Sequence, residues 1–360
     1  MEGLQVRMAP PVDDGHVSVA RLSGYWYIGC ESDALDKAPM ALELLGTPLV
    51  LFRDDQGVAS ALLDRCPHRN VPLSLGQVLP TGRLECSYHG WQFDRSGQCM
   101  EVPGLCTDRL VEGRRAPSYP VVEQDGFVWI YATPDARPTT RPFPLPHSSA
   151  AGYTTVTRMV EVEGTVHAAA ENALDVPHTA YLHRGLFRGG KKNEIRAMVR
   201  RWHDRVECEY IGEPRPPGIA ARILSPSGGE VQHWDRFYLP SVAQVEYRLG
   251  SENHFLVTTV MTPVSDFRTR MFAIISFNLR IPARLVLPVI EPLAMRIFRQ
   301  DAEMLRIQTD AIRRFGGEQY MSTEIDVLGP HIWRLLKRAE RDELEPADAP
   351  DLEREFKMLV

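Results

Sequence analysis

The sequence predicts an α+β protein in which an all-β N-terminal domain precedes a larger domain that combines a sheet with helices. Three observations support this prediction. Short strand patterns separated by turns fill residues 41–135, and five prolines then fall within thirteen residues, from Pro134 to Pro146. Beyond them, strand patterns accompany a helical segment interrupted at Pro177 and a longer one from Arg284 to Phe315.

The first domain is predicted from alternating apolar residues and turn signals. An apolar run at Leu49–Phe52 leads to an Asp-Asp-Gln-Gly turn at 54–57, and a second strand pair turns between Asp94 and Gly97. Residues 126–132 form a third strand pattern rich in aromatic and β-branched residues. We therefore predict a lead-in helix and strand in residues 1–40, a β domain in 41–135, a linker in 136–147 and a second domain in 148–360.

The composition narrows the functional class. The net charge of −6 argues against a nucleic-acid surface, because phosphate binding needs a basic field. No basic run followed by an apolar stretch marks the first eleven residues, so we expect a cytoplasmic protein without a secretory signal. Charged residues and prolines interrupt the apolar stretch 283–298, which favours a buried or surface-lying helix over one that contacts a membrane.

Two short motifs in the β domain combine a cysteine with a histidine. Cys66-Pro-His68-Arg precedes Cys86-Ser-Tyr-His89-Gly-Trp, and each motif falls on a predicted loop. Thiolate is a soft ligand that suits the iron of a sulfide-bridged cluster. Two histidines in place of two cysteines on one iron make such a cluster less negative and raise its potential, as in Rieske centres. The pattern predicts a [2Fe–2S] cluster.

The alternative is a structural zinc site, since two cysteines and two histidines also bind zinc. Zinc fingers usually pair cysteine with cysteine and histidine with histidine, whereas each loop here supplies one of each. The iron–sulfur interpretation is therefore favoured. The remaining cysteines have no partner at metal-ligand spacing and are assigned structural roles: Cys30, Cys99, Cys106 and Cys208.

A second candidate metal motif lies in the larger domain, where His178 and His183 are separated by four residues. Two histidines and one carboxylate on one face of Fe(II) leave positions open for O2 and substrate. The pair does not share a face of an ideal helix, so Pro177 must distort the helix to bring both rings to one metal. An H-x4-H pair alone is a weak signal.

Together these motifs resemble those of Rieske non-haem iron oxygenases. The first pair is similar to C-P-H-R and C-x-Y-H-G-W, and the second to N-x-x-D-x-x-H-x4-H, which begins here at Asn172. The resemblance implies a cluster held by Cys66, His68, Cys86 and His89 in a Rieske domain. It also implies a helix-grip (START-like) catalytic domain with a central antiparallel sheet, in which His178 and His183 bind a mononuclear Fe(II).

The resemblance also implies a third iron ligand on the C-terminal helix. Asp301 fits the family's D-x-x-x-L-x-x-Q pattern with Leu305 and Gln308, while Glu303 and Asp310 are the alternatives. The resemblance implies that Asp175 hydrogen-bonds His178 and bridges to His89 of the partner subunit. The alternative is that Asp175 only caps an irregular helix. Asn172 is assigned either an iron-site role or a structural hydrogen bond. Other residues are assigned to packing or structure: Tyr181, Arg184, Phe187, Arg188, His167, His203, His233 and His254.

In such enzymes electrons reach the iron from a partner subunit's cluster, so a homotrimer is expected. No dinucleotide-binding fingerprint occurs, which implies a separate NAD(P)H-dependent reductase, with or without a ferredoxin. We predict monooxygenation, by hydroxylation or demethylation, of a hydrophobic substrate, with a polycyclic or sterol-like molecule as one option. Arene cis-dihydroxylation is the alternative. A Rieske electron-transfer protein is the other functional class, disfavoured by the second metal motif.

Overall fold

The computed structural model describes residues 20–106, 113–183, 193–213, 231–250, 253–279 and 282–359, with backbone alone at 286, 289 and 290. The chain divides into two compact units between Pro144 and Leu145, within the Pro-rich segment, and the second unit also takes in Arg21. Arg184, Phe187 and Arg188 lie outside the described residues, as do residues 1–19 at the predicted lead-in segment.

The first unit is built from three small antiparallel sheets, ordered β1-β11-β10, β2-β3-β4-β9 and β5-β6-β7-β8. Its strands are β1 Trp26–Glu31, β2 Met40–Leu44, β3 Thr47–Arg53, β4 Ala59–Leu63, β5 Gln77–Val78, β6 Leu84–Glu85, β7 Gln92–Phe93, β8 Cys99–Glu101, β9 Ser118–Tyr119, β10 Val121–Gln124 and β11 Phe127–Tyr131. The apolar run in β3 is buried on both faces, which divides the core into two clusters. The all-β prediction is confirmed.

The second unit contains one eight-stranded antiparallel sheet, in the order β12-β18-β17-β16-β15-β14-β13-β19. Its strands are β12 Thr154–Val162, β13 Glu194–Arg201, β14 Arg205–Ile211, β15 Val231–Tyr238, β16 Val242–Leu249, β17 Asn253–Ser265, β18 Arg268–Asn278 and β19 Leu352–Leu359. Buried and less buried side chains alternate along β13, β14 and β15, because successive residues of a strand point to opposite faces. The predicted α+β class with a central antiparallel sheet is confirmed.

Four described helices accompany this sheet: α1 Val166–Leu174, α2 Thr179–Leu182, α3 Ala283–Phe315 and α4 Gly329–Glu340. The Thr165 hydroxyl accepts a hydrogen bond from the Ala168 N–H at 3.0 Å and caps α1. The helix α3 continues through Pro288 and Pro292 and ends at Gly316, whose φ of 73° is left-handed. Among the helices of the described residues, none combines the length and hydropathy needed to cross a bilayer.

Candidate metal centres

The two cysteine–histidine loops of the first unit have the same backbone construction. In each, the cysteine N–H donates to the carbonyl five residues later, at Val71 or Trp91, at 2.8 Å. The cysteine carbonyl then accepts from the N–H four residues later, and that residue has a positive φ: 64° at Asn70 and 67° at Gly90. Asparagine and glycine tolerate this conformation best. The sequence thus forms two equivalent tight loops.

These loops place the two cysteines inside, leave His68 half-buried and expose His89 to solvent. Cys66 and Cys86 belong to the buried apolar cluster around Phe52 and Phe93, whereas His89 is exposed. The rings of His68 and His89 lie 4.4 Å apart between centroids. All four predicted ligands are therefore side chains of two adjacent loops.

The donor set fits a sulfide-bridged cluster. Burial is the main cause that raises the pKa of the Cys66 thiol, to about 11, so the protein alone does not stabilise a thiolate there. Nδ1 of His68 is buried and has no hydrogen-bond partner. The indole of Trp91 stacks on the His68 ring at 4.8 Å and 5°, which fixes the plane of that imidazole. A bound metal would satisfy both the thiols and the unpartnered nitrogen.

A break in the helical segment creates the second centre. Helix α1 ends at Leu174, Asp175 and Val176 leave the helix ahead of Pro177, and α2 then forms a single turn. His178 is the residue before this turn and His183 is the residue after it. The H-x4-H spacing therefore encloses one helical turn and directs both rings to one point.

Asp301 of α3 completes a group of three converging donors. Nε2 of His178 and Nε2 of His183 lie 3.2 Å apart, and Asp301 Oδ1 lies 3.6 Å and 3.0 Å from them. One ligand atom from each of these three residues lies within 4.8 Å of the other two, so together they could hold a single metal ion. A metal about 2.1 Å from three mutually perpendicular donors separates them by about 3.0 Å. Two of the three separations, 3.0 Å and 3.2 Å, are close to this value, and the third, 3.6 Å, is longer.

Two further side chains hold the histidine rings. Asp175 Oδ2 accepts a hydrogen bond from the His178 backbone N–H at 3.2 Å and lies 3.3 Å from Nδ1 of the same residue. On the other ring, Nδ1 of His183 lies 2.9 Å from Gln300 Oε1. Sequence reasoning missed Gln300, because its position beside Asp301 on a helix carries no recognisable signal.

The charges around His178 favour its protonated form. Burial disfavours the charged imidazole, but Asp175 and Asp301 outweigh it and raise the pKa of His178 to about 9. A metal ligand must be neutral at the coordinating nitrogen. Metal binding at this centre would therefore release a proton.

A cavity of about 280 Å³, here called the chamber, adjoins His178 on its Asp175 side. Its polar wall is provided by Glu171, Asn172, Asp175, His178, Tyr210, Gln308 and Asp326. His183 and Asp301 do not line it. Burial, with Asp175, Asp326 and Glu318 nearby, raises the pKa of Glu171 to about 7. A side chain at Gly329 would place a Cβ 1.9 Å from Glu171 Oε1, so glycine there makes room for this carboxyl.

The other residues considered in the sequence analysis either lie away from the two metal centres or form hydrogen bonds and ion pairs elsewhere. Glu303 and Asp310, the alternatives to Asp301, are exposed on α3 and pair with Arg306 at 2.7 Å and 2.8 Å. Asn172 lines the chamber on α1, and Tyr181 is 67% exposed. Polar contacts hold the four other predicted histidines: His167 with the Gly329 carbonyl, His203 with the Ala347 N–H, His233 with Glu213 and Asp235, and His254 with Tyr153 and Glu246.

Comparison with known families identifies both halves of the chain. Residues 25–120 match the Rieske [2Fe-2S] domain, and residues 162–342 match the vanillate O-demethylase oxygenase C-terminal domain. The second match covers half of the chain and includes all three converging donors. Each metal centre thus lies within a family whose description names iron–sulfur or oxygenase chemistry.

Individual relatives agree with this assignment. The chain is 36% identical over 162 residues to the oxygenase component of dicamba O-demethylase from Stenotrophomonas maltophilia, covering 44% of this chain and about half (47%) of that relative. It is 27% identical to the vanillate O-demethylase oxygenase subunit of Pseudomonas sp. (strain HR199 / DSM 7063), and this match covers 90% of this chain and 96% of that relative. A crystal structure of dicamba monooxygenase bound to dicamba shares the fold, with a TM-score of 0.76 and 24% identity. The superposition covers 90% of this chain and 99% of that one.

Proposed function

Because this chain belongs to the Rieske non-haem iron oxygenases with a catalytic domain of the vanillate O-demethylase type, we propose that it is the oxygenase component of an O2-dependent monooxygenase. The reaction would hydroxylate or oxidatively demethylate a hydrophobic small molecule. The convergence of His178, His183 and Asp301 is the observation that carries this proposal. A Rieske electron-transfer protein has no use for such a second centre.

We assign the [2Fe–2S] cluster to Cys66, His68, Cys86 and His89, and the mononuclear iron to His178, His183 and Asp301. When bound, the two groups supply one-electron transfer and O2 activation. The chain's own contribution is geometric and electrostatic. Asp175 and Gln300 hold the two imidazole rings in orientation. Burial of His183 and partial burial of Asp301 limit the access of water to these two donors.

The relatives' names describe components of larger systems, such as an oxygenase component and a monooxygenase system's iron–sulfur subunit. We propose that electrons come from a separate NAD(P)H-dependent reductase, with or without a ferredoxin. We further propose a cytoplasmic homotrimer in which His89 of the partner subunit meets Asp175. In support, His89 is exposed and the Asp175 side chain is 29% exposed, so both groups are accessible to a partner.

For the substrate, the vanillate O-demethylase oxygenase subunit is the guide, because this relative matches 90% of the chain. A methoxylated aromatic acid is therefore the first substrate class to test, ahead of the polycyclic or sterol-like option. Arene cis-dihydroxylation stays the second candidate, because residues of this chain are 40% identical over 110 positions to a 3-chlorobenzoate-3,4-dioxygenase oxygenase subunit.

The test is anaerobic purification followed by metal, sulfide and product analysis. We expect iron with acid-labile sulfide, and a phenol plus formaldehyde from vanillate or dicamba supplied with O2 and a reductase. Because the methyl group is hydroxylated, oxygen from labelled O2 should appear in the formaldehyde, trapped as it forms, while the phenol keeps the original ether oxygen. Alanine at His178 should remove the mononuclear iron and product formation while leaving the cluster spectrum intact. Colourless protein containing zinc without sulfide would overturn the proposal, and a dihydrodiol product would replace monooxygenation by the second candidate.

A further inference from the structure

A second cavity, here called the groove, lies between the single turn of α2 and the middle of α3 and measures about 330 Å³. Pockets that bind small molecules usually measure about 300–1,000 Å³, so the groove has room for a compound with one aromatic ring. Two of its wall residues adjoin metal donors in the chain, since Leu182 precedes His183 and Gln300 precedes Asp301. The groove therefore borders the mononuclear centre, although none of the three donors lines it. The lining residues are Leu182, Arg296, Arg299, Gln300, Glu303 and Met304.

The groove carries positive charge that no carboxylate of the described chain neutralises. Arg296 and Arg299 are exposed, and neither forms an ion pair or a hydrogen bond with another described residue. By contrast, Glu303 at the edge of the groove is paired with Arg306 at 2.7 Å. Arg296 and Arg299 lie three positions apart on α3, where side chains are neighbours and like charges destabilise the helix. An anion bound between them would relieve this repulsion.

The other walls of the groove supply apolar surface and one amide. Leu182 and Met304 are aliphatic, and Met304 is 44% exposed, so a flat ring can pack against them. Oε1 of Gln300 lies 2.9 Å from Nδ1 of His183, which leaves the Gln300 NH2 group as a donor for a ligand. Guanidinium and amide N–H groups beside apolar surface match an aromatic ring that bears a carboxylate.

We propose that the groove binds aromatic carboxylates, and that Arg296 and Arg299 capture the acid substrate beside the mononuclear centre before it reacts. The inference rests on the proposed oxygenase function and deepens it, because it names residues that recognise the aromatic-acid class. The chain has a net charge of −6, so an anionic substrate approaches the centre best where unpaired positive charge attracts it. The carboxylate accepts hydrogen bonds from the two guanidinium groups, and no covalent bond forms or breaks at this step.

Equilibrium binding to the purified, unreduced protein is the first test. The ligands are vanillate and 2-methoxyphenol, which is the same molecule without its carboxylate. The double variant Arg296→Gln/Arg299→Gln should bind vanillate at least about tenfold more weakly than wild type does, since hydrogen bonds to charged groups contribute that much. Its affinity for 2-methoxyphenol should not change. Unchanged vanillate affinity in the double variant, or an equal loss for both ligands, would overturn the proposal.

The matched control is Arg284→Gln, which removes an exposed arginine from the first turn of the same helix, outside the groove. Its vanillate affinity should equal that of wild type. Neither this variant nor the double variant should have a lower Tm, because all three arginines are exposed. A loss in Arg284→Gln as large as in the double variant would show a non-specific effect of charge and overturn the assignment to the groove.

Turnover with the reductase and O2 separates substrate capture from regulation. In the double variant the loss should appear as an about tenfold higher KM for vanillate, with kcat at saturation close to that of wild type. A lower kcat at unchanged KM would instead place an effector in the groove and overturn the proposal. If wild type binds vanillate through these arginines but forms no product from any methoxyarene, the proposed reaction fails while the groove assignment stands. Product formation with the same KM in both proteins has the opposite meaning.

Discussion

The amide oxygen of Gln300 lies 2.9 Å from Nδ1 of His183, so Nε2 of that buried ring faces His178 and Asp301. Replacing Gln300 by Leu should weaken iron binding by about 10-fold to 100-fold, since groups that orient a metal-bound histidine typically contribute that much. Iron titration of the apoprotein measures this. Gln308→Leu, the same change two turns further along α3, should bind iron as wild type does. Equal losses in both variants would refute a specific role for Gln300.

The choice among three acidic residues on α3 has a direct test. Asp301→Asn should lose the mononuclear iron, with affinity lowered more than about 100-fold, because it removes one of the three converging donors. Glu303→Gln and Asp310→Asn change exposed carboxylates paired with Arg306 and should retain iron and activity. Iron content per chain, measured with the cluster iron accounted for through acid-labile sulfide, decides the assignment. Retained mononuclear iron in Asp301→Asn would contradict it.

Iron affinity should depend on pH through His178. Its pKa in the metal-free protein is raised to about 9, so below that pH each binding event displaces one proton. The apparent affinity should then rise about tenfold per pH unit up to pH 9 and level off above it. Asp175→Asn removes one of the charges that raise this pKa and should move the levelling-off point to lower pH. A pH-independent affinity between pH 7 and 8.5 would be inconsistent with a protonated His178.

Glu171 should make the fold less stable as the pH rises. Its pKa is raised from 4.5 to about 7, so between those values the folded chain binds more protons than the unfolded chain. Stability linked to the protonated Glu171 carboxyl is therefore fully present below pH 4.5 and is lost as the pH rises towards 7. Glu171→Gln should be more stable than wild type at pH 8, by up to about 3 kcal/mol, in urea unfolding. Glu324→Gln, an exposed control, should show no such gain. Parallel pH curves for Glu171→Gln and wild type would count against this account.

Asp175→Asn should separate metal binding from turnover. Asparagine keeps the size of the side chain but removes the charge beside Nδ1 of His178, so both metals should remain while turnover is lost. Asp326→Asn, another chamber carboxylate that makes no contact with His178 in the described structure, serves as the control. Metal analysis, the cluster spectrum and product formation are measured on both. Full activity in Asp175→Asn would remove its proposed bridging role.

Much of the fold was predictable because its signals are local. The alternation along β13 to β18 and the period of α3 depend on neighbouring residues alone, and both the strand-rich first unit and the long helix agree with those patterns. The two loops of the first unit were equally predictable from the sequence, since Cys66 and His68, like Cys86 and His89, are only a few residues apart. Glycine and asparagine at their positive-φ positions are local signals too.

The sequence by itself determined which side chains are available for chemistry: two cysteines and two histidines on paired loops, and two histidines around one helical turn. Only the tertiary structure decided which distant groups meet them. Gln300 and His183 are 117 positions apart, and Glu171 lies against Gly329, the first residue of α4. Such contacts depend on how helices and strands pack across a shared core, and side-chain packing between elements far apart in the chain leaves no periodic trace in the sequence.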